Sequence, residues 1–389
     1  MSLDSELIGN LDAFFHRNGF DPSTRSICDN FISDELHATL PSAAPKQGYC
    51  SYTVAIDDSR IVQFRPRAFR LEESINTSAR QVLGDLVPRT EYIAVINGIL
   101  QKEKADQISD ELHIYLLDRV SGTTFDELQT LNSKGTDLLP ITKRLLRDLG
   151  VVFARTYVDG TKASSRDTRK GKVGSSLAWR LQLLQDIESE EIRAVVDEVQ
   201  ENLDEITDLP WCLTHGDLVP ANVMVDPSRG SLRGLIDWAE GEYLPFGLGL
   251  YGVEELLGSE SNGAFQYHPQ HGTLREVFWN SFQKTLDHQG VTIDSASWDR
   301  VLLARKLGIL LWRGIAFEDG RIDRVVKADV DDSELRKLHL FLAEKSPIPA
   351  AVHDRSCYRN IGFCFIEASI TLLCALRTFT SRIFRYFKQ

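Results

Sequence analysis

The chain lacks an excess of positive charge, because its 44 Lys and Arg residues are outnumbered by 56 Asp and Glu residues and leave a formal net charge of −12. Nucleic acids and anionic membranes are themselves negatively charged, so an acidic protein surface repels both of them. We therefore expect neither to be a partner of this protein.

Clustered cysteines are missing as well. The six cysteines are scattered along the chain without a C-x-x-C pair, so their spacing predicts neither a zinc site nor a disulfide framework. The first residues, MSLDSELIGNLDAFF, carry acids where a secretory signal would carry Lys or Arg. These features together predict a reducing, intracellular environment, with the cytoplasm as the default location.

The C-terminal segment lacks the uninterrupted apolar run of ~20 residues that a membrane-spanning helix needs. The apolar stretch 361–376 contains Glu367, and the residues after it are basic. A helix here could pack on the rest of the protein, lie on a membrane surface or, with least support from its length, span the membrane. We expect no membrane contact beyond a possible surface contact by this helix.

The spacing of apolar residues divides the rest of the chain into a small β-rich part and a larger helical part. In the first part it predicts a helix and loop over 1–45, strands over 49–56 and 60–65, a helix over 72–86, and strands over 92–99 and 112–117. In the second part it predicts helices over 140–157, 176–203 with a break near 188, 251–257, 274–288, 297–317 and 333–343. The expected units are an N-terminal extension (1–45), a β-rich lobe (46–118), a helical lobe (119–345), and a linker with a basic amphipathic helix (346–389).

The most informative segment is LTHGDLVPANVMVDPSRGSLRGLIDW, residues 213–238. His215, Gly216 and Asp217 form a predicted turn after an apolar run, and Asn222 follows five residues beyond Asp217. Strands over 223–225 and 232–236 form a hairpin, and Asp237 stands at its end. We expect this hairpin to bring the side chains of Asp217, Asn222 and Asp237 together.

Phosphoryl transfer uses such a set of side chains. One carboxylate orients the acceptor hydroxyl and receives its proton, and a second carboxylate and an amide oxygen hold Mg²⁺ on the phosphates. The spacing D-x-x-x-x-N followed by a later Asp matches the catalytic loop and metal-binding Asp of kinases.

The motif H-G-D-x-x-x-x-N followed by I-D-W resembles the aminoglycoside phosphotransferase and choline kinase-like family, and residues 241–258 are similar to its fungal branch. The resemblance covers roughly residues 45–345. It implies an α+β bilobal protein-kinase-like fold, with a small β-rich N-terminal lobe and a larger, mainly helical C-terminal lobe. It also implies an ATP- and Mg²⁺-dependent transferase that moves the γ-phosphoryl group to the hydroxyl of a small molecule.

The same resemblance implies a role for each matching residue of the catalytic segment. Asp217 corresponds to the catalytic base, and His215 to the histidine that braces the loop. Asn222 and Asp237 correspond to the Mg²⁺ ligands.

In the N-terminal lobe, the resemblance implies the nucleotide site. Gln63 and Arg65 occupy the place of the strand that carries the phosphate-binding lysine, and their spacing puts both on one face. The loop beginning at Gly48 would cover the phosphates, and residues 117–120, including Asp118 and Val120, would contact adenine.

The sequence departs from the family pattern at three places. Arg65 replaces the usual lysine, which is not a neutral exchange. The acidic partner on the following helix is either Glu72, Glu73 or both, or it is absent. The family's D-P-x-x-D pattern is replaced by the residues LPFGLG at 244–249, so a bracing carboxylate is missing.

Two other functions compete with a small-molecule kinase. A catalytically inactive binding or scaffold protein would explain Arg65 and the missing brace, although it has little reason to keep Asp217, Asn222 and Asp237. A protein kinase would show G-x-G-x-x-G, H-R-D, D-F-G and A-P-E motifs, which this sequence lacks.

The acceptor is only weakly indicated by the sequence. Glu240 and Glu242 would either face a cationic substrate or belong to a solvated loop, and the acidic stretch 240–255 hints at a basic acceptor. Trp279, Trp298 and Trp312 have the spacing of core residues on helices.

Overall fold

A computed structural model describes residues 13–38, 50–104, 108–131, 137–162, 171–261, 263–318 and 321–344. Its strands are β1 (Tyr52–Ala55), β2 (Arg60–Pro66), β3 (Thr90–Asn97), β4 (Glu111–Asp118), β5 (Thr123–Thr124), β6 (Trp211–Thr214), β7 (Val223–Val225), β8 (Leu232–Leu235), β9 (Glu242–Pro245), β10 (Gly258–Ser261), β11 (Ala264–Tyr267), β12 (Ile315–Glu318) and β13 (Arg321–Val325). Its α-helices are α1 (Thr24–Asp34), α2 (Glu73–Leu83), α3 (Phe125–Leu131), α4 (Leu139–Lys162), α5 (Leu177–Leu184), α6 (Glu190–Glu201), α7 (Leu203–Thr207), α8 (Tyr251–Leu256), α9 (His271–His288), α10 (Ser295–Arg313) and α11 (Asp332–Ala343).

The small lobe is built on an antiparallel sheet with the strand order β1-β2-β4-β3. The side chains of Val62 and Phe64, two residues apart on β2, point to the same face of the sheet and join a buried apolar cluster there. The described part of the N-terminal extension completes this cluster, since Phe14 and Phe15 are fully buried in it. Residues 13–38 therefore pack on the sheet.

The large lobe is formed around α4, which lies against α9 and β6. Its residues Leu145, Leu149 and Val152 are buried, as their helical spacing predicts. The three-stranded sheet β5-β7-β8 and the two-stranded sheet β6-β9 lie in the same lobe and carry the loops of interest.

One predicted helix boundary is wrong. The helix predicted over 297–317 ends at Arg313, and the chain continues from Ile315 as a strand that pairs with β13. Gly314 follows the last helical residue, and a glycine there favours the end of a helix.

Buried ion pairs tie α8 to the helices around it. Glu254, 2% exposed, lies 2.7 Å from Arg275 of α9 and 2.9 Å from Arg305 of α10. Glu255, 3% exposed, pairs with Arg313 of α10 and Lys337 of α11. A buried charge is tolerated where it is paired and hydrogen-bonded, so these contacts fix the position of α8.

The described elements form the bilobal α+β, protein-kinase-like fold that the sequence predicts, and that prediction is confirmed. None of the helices within the described ranges is long and apolar enough to cross a membrane. The predicted C-terminal helix and linker, residues 346–389, lie outside the described residues.

Candidate active site

The turn of His215, Gly216 and Asp217 follows directly after β6, which is held in place by pairing with β9. Gly216 has a φ of 81°, and a Cβ at this position would collide with the carbonyl oxygen of Glu240. Both the backbone angle and the lack of space require glycine here. The turn thereby presents Asp217 beyond the end of the strand.

His215 supports this turn from beneath. Its Nδ1 accepts a hydrogen bond from the backbone N–H of Asp217 at 3.3 Å, and its Nε2 lies 2.8 Å from the carbonyl oxygen of Ile236. Because a carbonyl oxygen only accepts, the proton resides on Nε2. Burial lowers the pKa of His215 to about 4, so the ring stays neutral. Both nitrogens are engaged, which suits the bracing role that the sequence predicts.

Asn222 holds the carboxylate of Asp217 from the side. Its Nδ2 donates to Asp217 Oδ2 at 2.8 Å and to the backbone oxygen of Asp217 at 2.9 Å. Ile236 links the two ends of the hairpin, since its N–H donates to the backbone oxygen of Asn222 at 3.0 Å. The β7–β8 hairpin therefore brings Asp217, Asn222 and Asp237 to one end, as its spacing predicts.

Arg65 of β2 reaches this cluster from the other lobe. Its guanidinium donates to Asp237 Oδ1 at 2.8 Å and to Gln63 Oε1 at 2.9 Å. Arg65 is only 1% exposed, whereas Asp237 is 43% exposed. Asp237 itself has a φ of 60°, in the left-handed region that Asp tolerates better than most residues. A buried cation of the small lobe thus holds a carboxylate of the large lobe.

The acidic partner of Arg65 is not on α2. Neither Glu72 nor Glu73, both among the described residues, forms an ion pair with Arg65. The sequence leaves open whether Glu72, Glu73, both or neither pairs with Arg65, and among the described residues neither does.

The electrostatics of the cluster favour the binding of cations. Burial, together with the nearby charge of Asp237, raises the pKa of Asp217, against the effect of the Asn222 hydrogen bond. Glu240 keeps part of its surface in contact with solvent, yet the surrounding protein and the charges of Asp217 and Asp237 raise its pKa to about 7. Three carboxyl groups so close together repel one another, and a bound cation would relieve that repulsion.

Asn222 and Asp237 fit a magnesium ion by the chemistry of their donors. Mg²⁺ prefers oxygen ligands, and it is commonly bound by one or two protein groups together with phosphate oxygens. Asn222 turns its Nδ2 to Asp217, so its amide oxygen is directed away from that residue. Within the described residues no group of three or more His, Cys, Asp or Glu side chains could hold a metal unaided. Substrate phosphates would therefore have to complete the coordination.

The residues predicted to contact adenine lie at the end of β4 and directly after it. Asp118 is the last residue of β4, and the side chain of Val120 lies against Gly234 of β8. Gly48 lies outside the described residues. Cys50, two residues later, lies close enough to Arg65 and Asp237 for their charges to act on its thiol. Burial raises the pKa of this thiol to about 12.

The acids after Asp237 are mostly structural. Glu242 is buried and accepts hydrogen bonds from the backbone N–H groups of Val173, at 2.9 Å, and Gly174, at 3.0 Å. Both interpretations of Glu242 from sequence, a solvated loop or a contact with a cationic substrate, are therefore wrong. Since Glu254 and Glu255 are also buried in ion pairs, the stretch 240–255 no longer indicates a basic acceptor.

Two aromatic contacts to the catalytic turn are missed by the sequence analysis. Trp312 is half-buried, and its Nε1–H donates to the carbonyl oxygen of Gly216. The other two tryptophans, Trp279 and Trp298, are core residues as predicted. The hydroxyl of Tyr251 accepts a hydrogen bond from the backbone N–H of Leu218 at 3.0 Å. No motif marks either residue, and the only sequence signal is the glycines on either side of Tyr251.

A cavity of about 310 Å³ lies next to Trp312. Trp312 and Arg313 of α10 form one wall, and Asp331 and Glu334 form another. Both acids are paired, Glu334 with Arg313 at 3.0 Å and Asp331 with Arg324. The cavity is thus close to the catalytic turn without carrying an unbalanced charge.

Comparison with solved structures finds proteins of low sequence identity. A protein from Ralstonia eutropha, described as a putative aminoglycoside phosphotransferase, is 15% identical, covers 83% of this chain and 97% of its own, and has a TM-score of 0.48. An aminoglycoside phosphotransferase from Streptomyces rimosus, solved with ADP and streptomycin, is 13% identical over 74% and 98% of the two chains, with a TM-score of 0.44. The choline kinase LicA from Streptococcus pneumoniae is 17% identical over 73% and 98%, with a TM-score of 0.36. No curated protein matches the chain.

The comparison with family models is decisive. The model described as the phosphotransferase enzyme family matches residues 44–246, which is more than half of the 389 residues. The match includes β2 with Arg65 and the whole segment from His215 to Asp237. This chain belongs to the phosphotransferase enzyme family.

Proposed function

We propose that the protein transfers the γ-phosphoryl group of ATP to a hydroxyl group of a small molecule, with Mg²⁺ as cofactor. Membership of the family gives the reaction class, which is phosphoryl transfer. The proposal adds ATP as the donor, Mg²⁺ as the metal and a small-molecule hydroxyl as the acceptor. The observation that carries it is the convergence of Asp217, Asn222, Asp237 and Arg65 at the junction of the lobes. These groups match the needs of phosphoryl transfer one by one.

Asp217 is the catalytic base in this proposal. As the acceptor oxygen forms its bond to the γ-phosphorus, the hydroxyl proton passes to the Asp217 carboxylate. The bond between the γ-phosphorus and the bridging oxygen breaks, and ADP leaves with the electron pair. Burial raises the pKa of Asp217 and so makes it a stronger base than an exposed carboxylate. Asn222 and His215 keep it aimed at the acceptor.

Asn222 and Asp237 would hold the metal, and Arg65 lies where the phosphates would approach. Bound Mg²⁺ would neutralise negative charge on the phosphoryl oxygens. Arg65 is always charged and can bind phosphate through two N–H groups at once. The family resemblance also implies nucleotide contacts for Asp118, Val120 and Gly48, of which Gly48 lies outside the described residues.

The acceptor lies in the cavity beside Trp312. Trp312 in its wall is hydrogen-bonded to Gly216, the residue before Asp217, so the cavity borders the catalytic turn. A volume of about 310 Å³ suits a small molecule. The paired acids of the cavity do not select a cationic acceptor over a neutral one.

One observation favours the second candidate, a non-catalytic binding module. The ion pair between Arg65 and Asp237 occupies the carboxylate that should hold the metal. In a kinase, the phosphates and the metal would draw these two side chains apart. In a scaffold the pair would remain closed, and Mg²⁺ would not strengthen nucleotide binding.

The first test of the proposal compares wild type with Asp217→Asn. We expect turnover of Mg·ATP to fall by roughly 100-fold or more, since general bases contribute that much. ATP affinity, measured by calorimetry with and without Mg²⁺, should change little. Asp186→Asn, an exposed residue after α5, is the matched control and should behave as wild type. Loss of nucleotide binding in step with turnover would contradict the role of Asp217.

A further inference from the structure

The segment that follows the catalytic hairpin offers the turn no polar side chain. It reads LPFGLG at 244–249, and Leu244, Phe246 and Leu248 are all buried. An apolar side chain cannot accept or donate hydrogen bonds to the turn. The backbone groups around Asp217 therefore need other partners, because an unpaired buried N–H is costly.

Two aromatic residues provide these partners, one on each side of Asp217. The Nε1–H of Trp312 donates to the carbonyl oxygen of Gly216, the preceding residue. The hydroxyl oxygen of Tyr251 accepts the N–H of Leu218, the following residue, at 3.0 Å. Each bond constrains one of the two peptide units that set the direction of the Asp217 side chain.

The two aromatic residues also support each other. Their rings stack with centroids 4.8 Å apart and an angle of 15° between the planes. Tyr251 is fully buried, and burial raises its pKa well above the ordinary value, so its hydroxyl keeps its proton. Stacked rings add stability beyond the area that they bury.

Glycines stand at two close contacts, one between α8 and the catalytic loop and one between α10 and the segment before α8. A Cβ at Gly252 would lie 2.6 Å from the Cβ of Leu218, and a Cβ at Gly308 of α10 would overlap the backbone oxygen of Leu248. Any larger residue at either position would push a helix away from the turn. Gly252 and Gly308 therefore let the two aromatic residues reach the backbone of the turn.

We propose that Tyr251 and Trp312 form an aromatic clamp that positions Asp217 by holding the backbone on both sides of it. This inference rests on the proposed function, because it assigns the clamp a part in phosphoryl transfer. Tyr251 and Trp312 are positioning residues, since in this role they act through the backbone of the turn and not on the phosphates. Their removal should lower kcat while leaving the KM for ATP unchanged, because the nucleotide contacts lie elsewhere.

The test uses Tyr251→Phe and Trp312→Phe, which keep the rings but remove one hydrogen bond each. ADP release from Mg·ATP is measured with water as the acceptor, so that the acceptor cavity plays no part. We expect kcat to fall about tenfold in each variant, with the KM for ATP within about twofold of wild type. Amide exchange of residues 215–222 should rise in both variants, with Leu218 most affected in Tyr251→Phe.

Two matched controls separate positioning from loss of stability. Trp298 is on the same helix as Trp312, is 1% exposed, and its Nε1 has no hydrogen-bond partner among the described residues. The hydroxyl of Tyr267 donates a hydrogen bond to Glu254 at 2.7 Å, and neither residue belongs to the catalytic turn. Trp298→Phe and Tyr267→Phe should lower thermal stability as much as the clamp variants do, yet keep wild-type kcat and exchange at 215–222.

The outcomes distinguish the clamp from the proposed function. Hydrolysis that is lost in Asp217→Asn but retained in both clamp variants would overturn the clamp alone. A rise in exchange spread evenly over the large lobe, equal to that of the controls, would also overturn it. Hydrolysis equal in wild type and Asp217→Asn would overturn the proposed function and the catalytic role of the clamp with it.

Discussion

Arg65 links the small lobe to the catalytic cluster through its ion pair with Asp237. Its guanidinium is 1% exposed and is held by Gln63 and Asp237. In Arg65→Met, the carboxylate of Asp237 would lose its cation, and ATP would lose a phosphate contact. We expect ATP affinity to weaken by about tenfold or more in Arg65→Met, and by less in Arg65→Lys, which keeps the charge but not the fork of donors.

The measurement for Arg65 is calorimetric titration with ATP. Arg60→Met provides the control, because Arg60 is on the same strand and pairs with Asp57 while 49% exposed. Exposed pairs contribute little, so its ATP affinity should match wild type. Wild-type affinity in Arg65→Met would show that Arg65 does not contact the nucleotide.

The free energy of unfolding should depend on pH through His215, and the direction of this dependence follows from the pKa of the ring. Burial lowers the pKa of the folded-state ring to about 4, below the ordinary 6.5 of the unfolded chain. Between these values the unfolded state binds the additional proton, so the free energy of unfolding falls as the pH falls through this window. From pH 7 to pH 5, wild type should lose on the order of 2 kcal/mol relative to His215→Gln.

Urea unfolding of both proteins at several pH values measures this effect. Other groups titrate in the same range, and the difference between the two proteins removes their common contribution. A difference that stays constant from pH 7 to pH 5 would mean that His215 is not a buried neutral ring.

Which residues could be predicted from sequence depends on their separation along the chain. Asp217, Asn222 and Asp237 are close in sequence, and one hairpin places them together, so spacing alone finds them. The pair of Arg65 and Asp237 spans 172 positions, and the contact of Trp312 with Gly216 spans 96. Such contacts depend on how distant elements pack, and local patterns do not encode them.

At the scale of elements, periodicity predicts most helices and strands of both lobes. The strand pair over 49–65 appears as β1 and β2, and the long helix over 140–157 appears within α4. Residues 315–317 are predicted as helix because they continue an apolar pattern. They form a strand instead because their backbone pairs with β13, a partner that lies beyond the pattern itself.

The approach of α10 to the segment before α8 yields a test at the same scale. A Cβ at Gly308 would overlap the backbone oxygen of Leu248, so Gly308→Ala should destabilise the protein by about 1–3 kcal/mol. Gly272 of α9 has no atom within 4 Å of its ideal Cβ position. Gly272→Ala should therefore be neutral or stabilising by up to about 1 kcal/mol, since alanine favours helix more than glycine does.

Thermal or urea unfolding of the two alanine variants provides the comparison. The stability of Gly308→Ala should fall clearly below that of Gly272→Ala. Equal stability of the two would mean that α10 and Leu248 are not in close contact.

At the scale of the whole molecule, the two lobes meet at the catalytic cluster. The family match explains why the fold and the reaction class could be predicted from one sequence motif. The acceptor could not be predicted, because its proposed cavity is formed by residues from 312 to 334 that follow no motif. In the acidic stretch that hinted at a basic acceptor, Glu254 and Glu255 form buried ion pairs and Glu242 binds backbone N–H groups.

The central claim is that this molecule phosphorylates a small molecule through Asp217. The most direct measurement is transfer of labelled γ-phosphate from Mg·ATP into a small-molecule extract of the source organism, with wild type and Asp217→Asn side by side. The account predicts a labelled small molecule with wild type and none with the variant. Label on protein, equal labelling by both proteins, or no binding of ATP at all would contradict it.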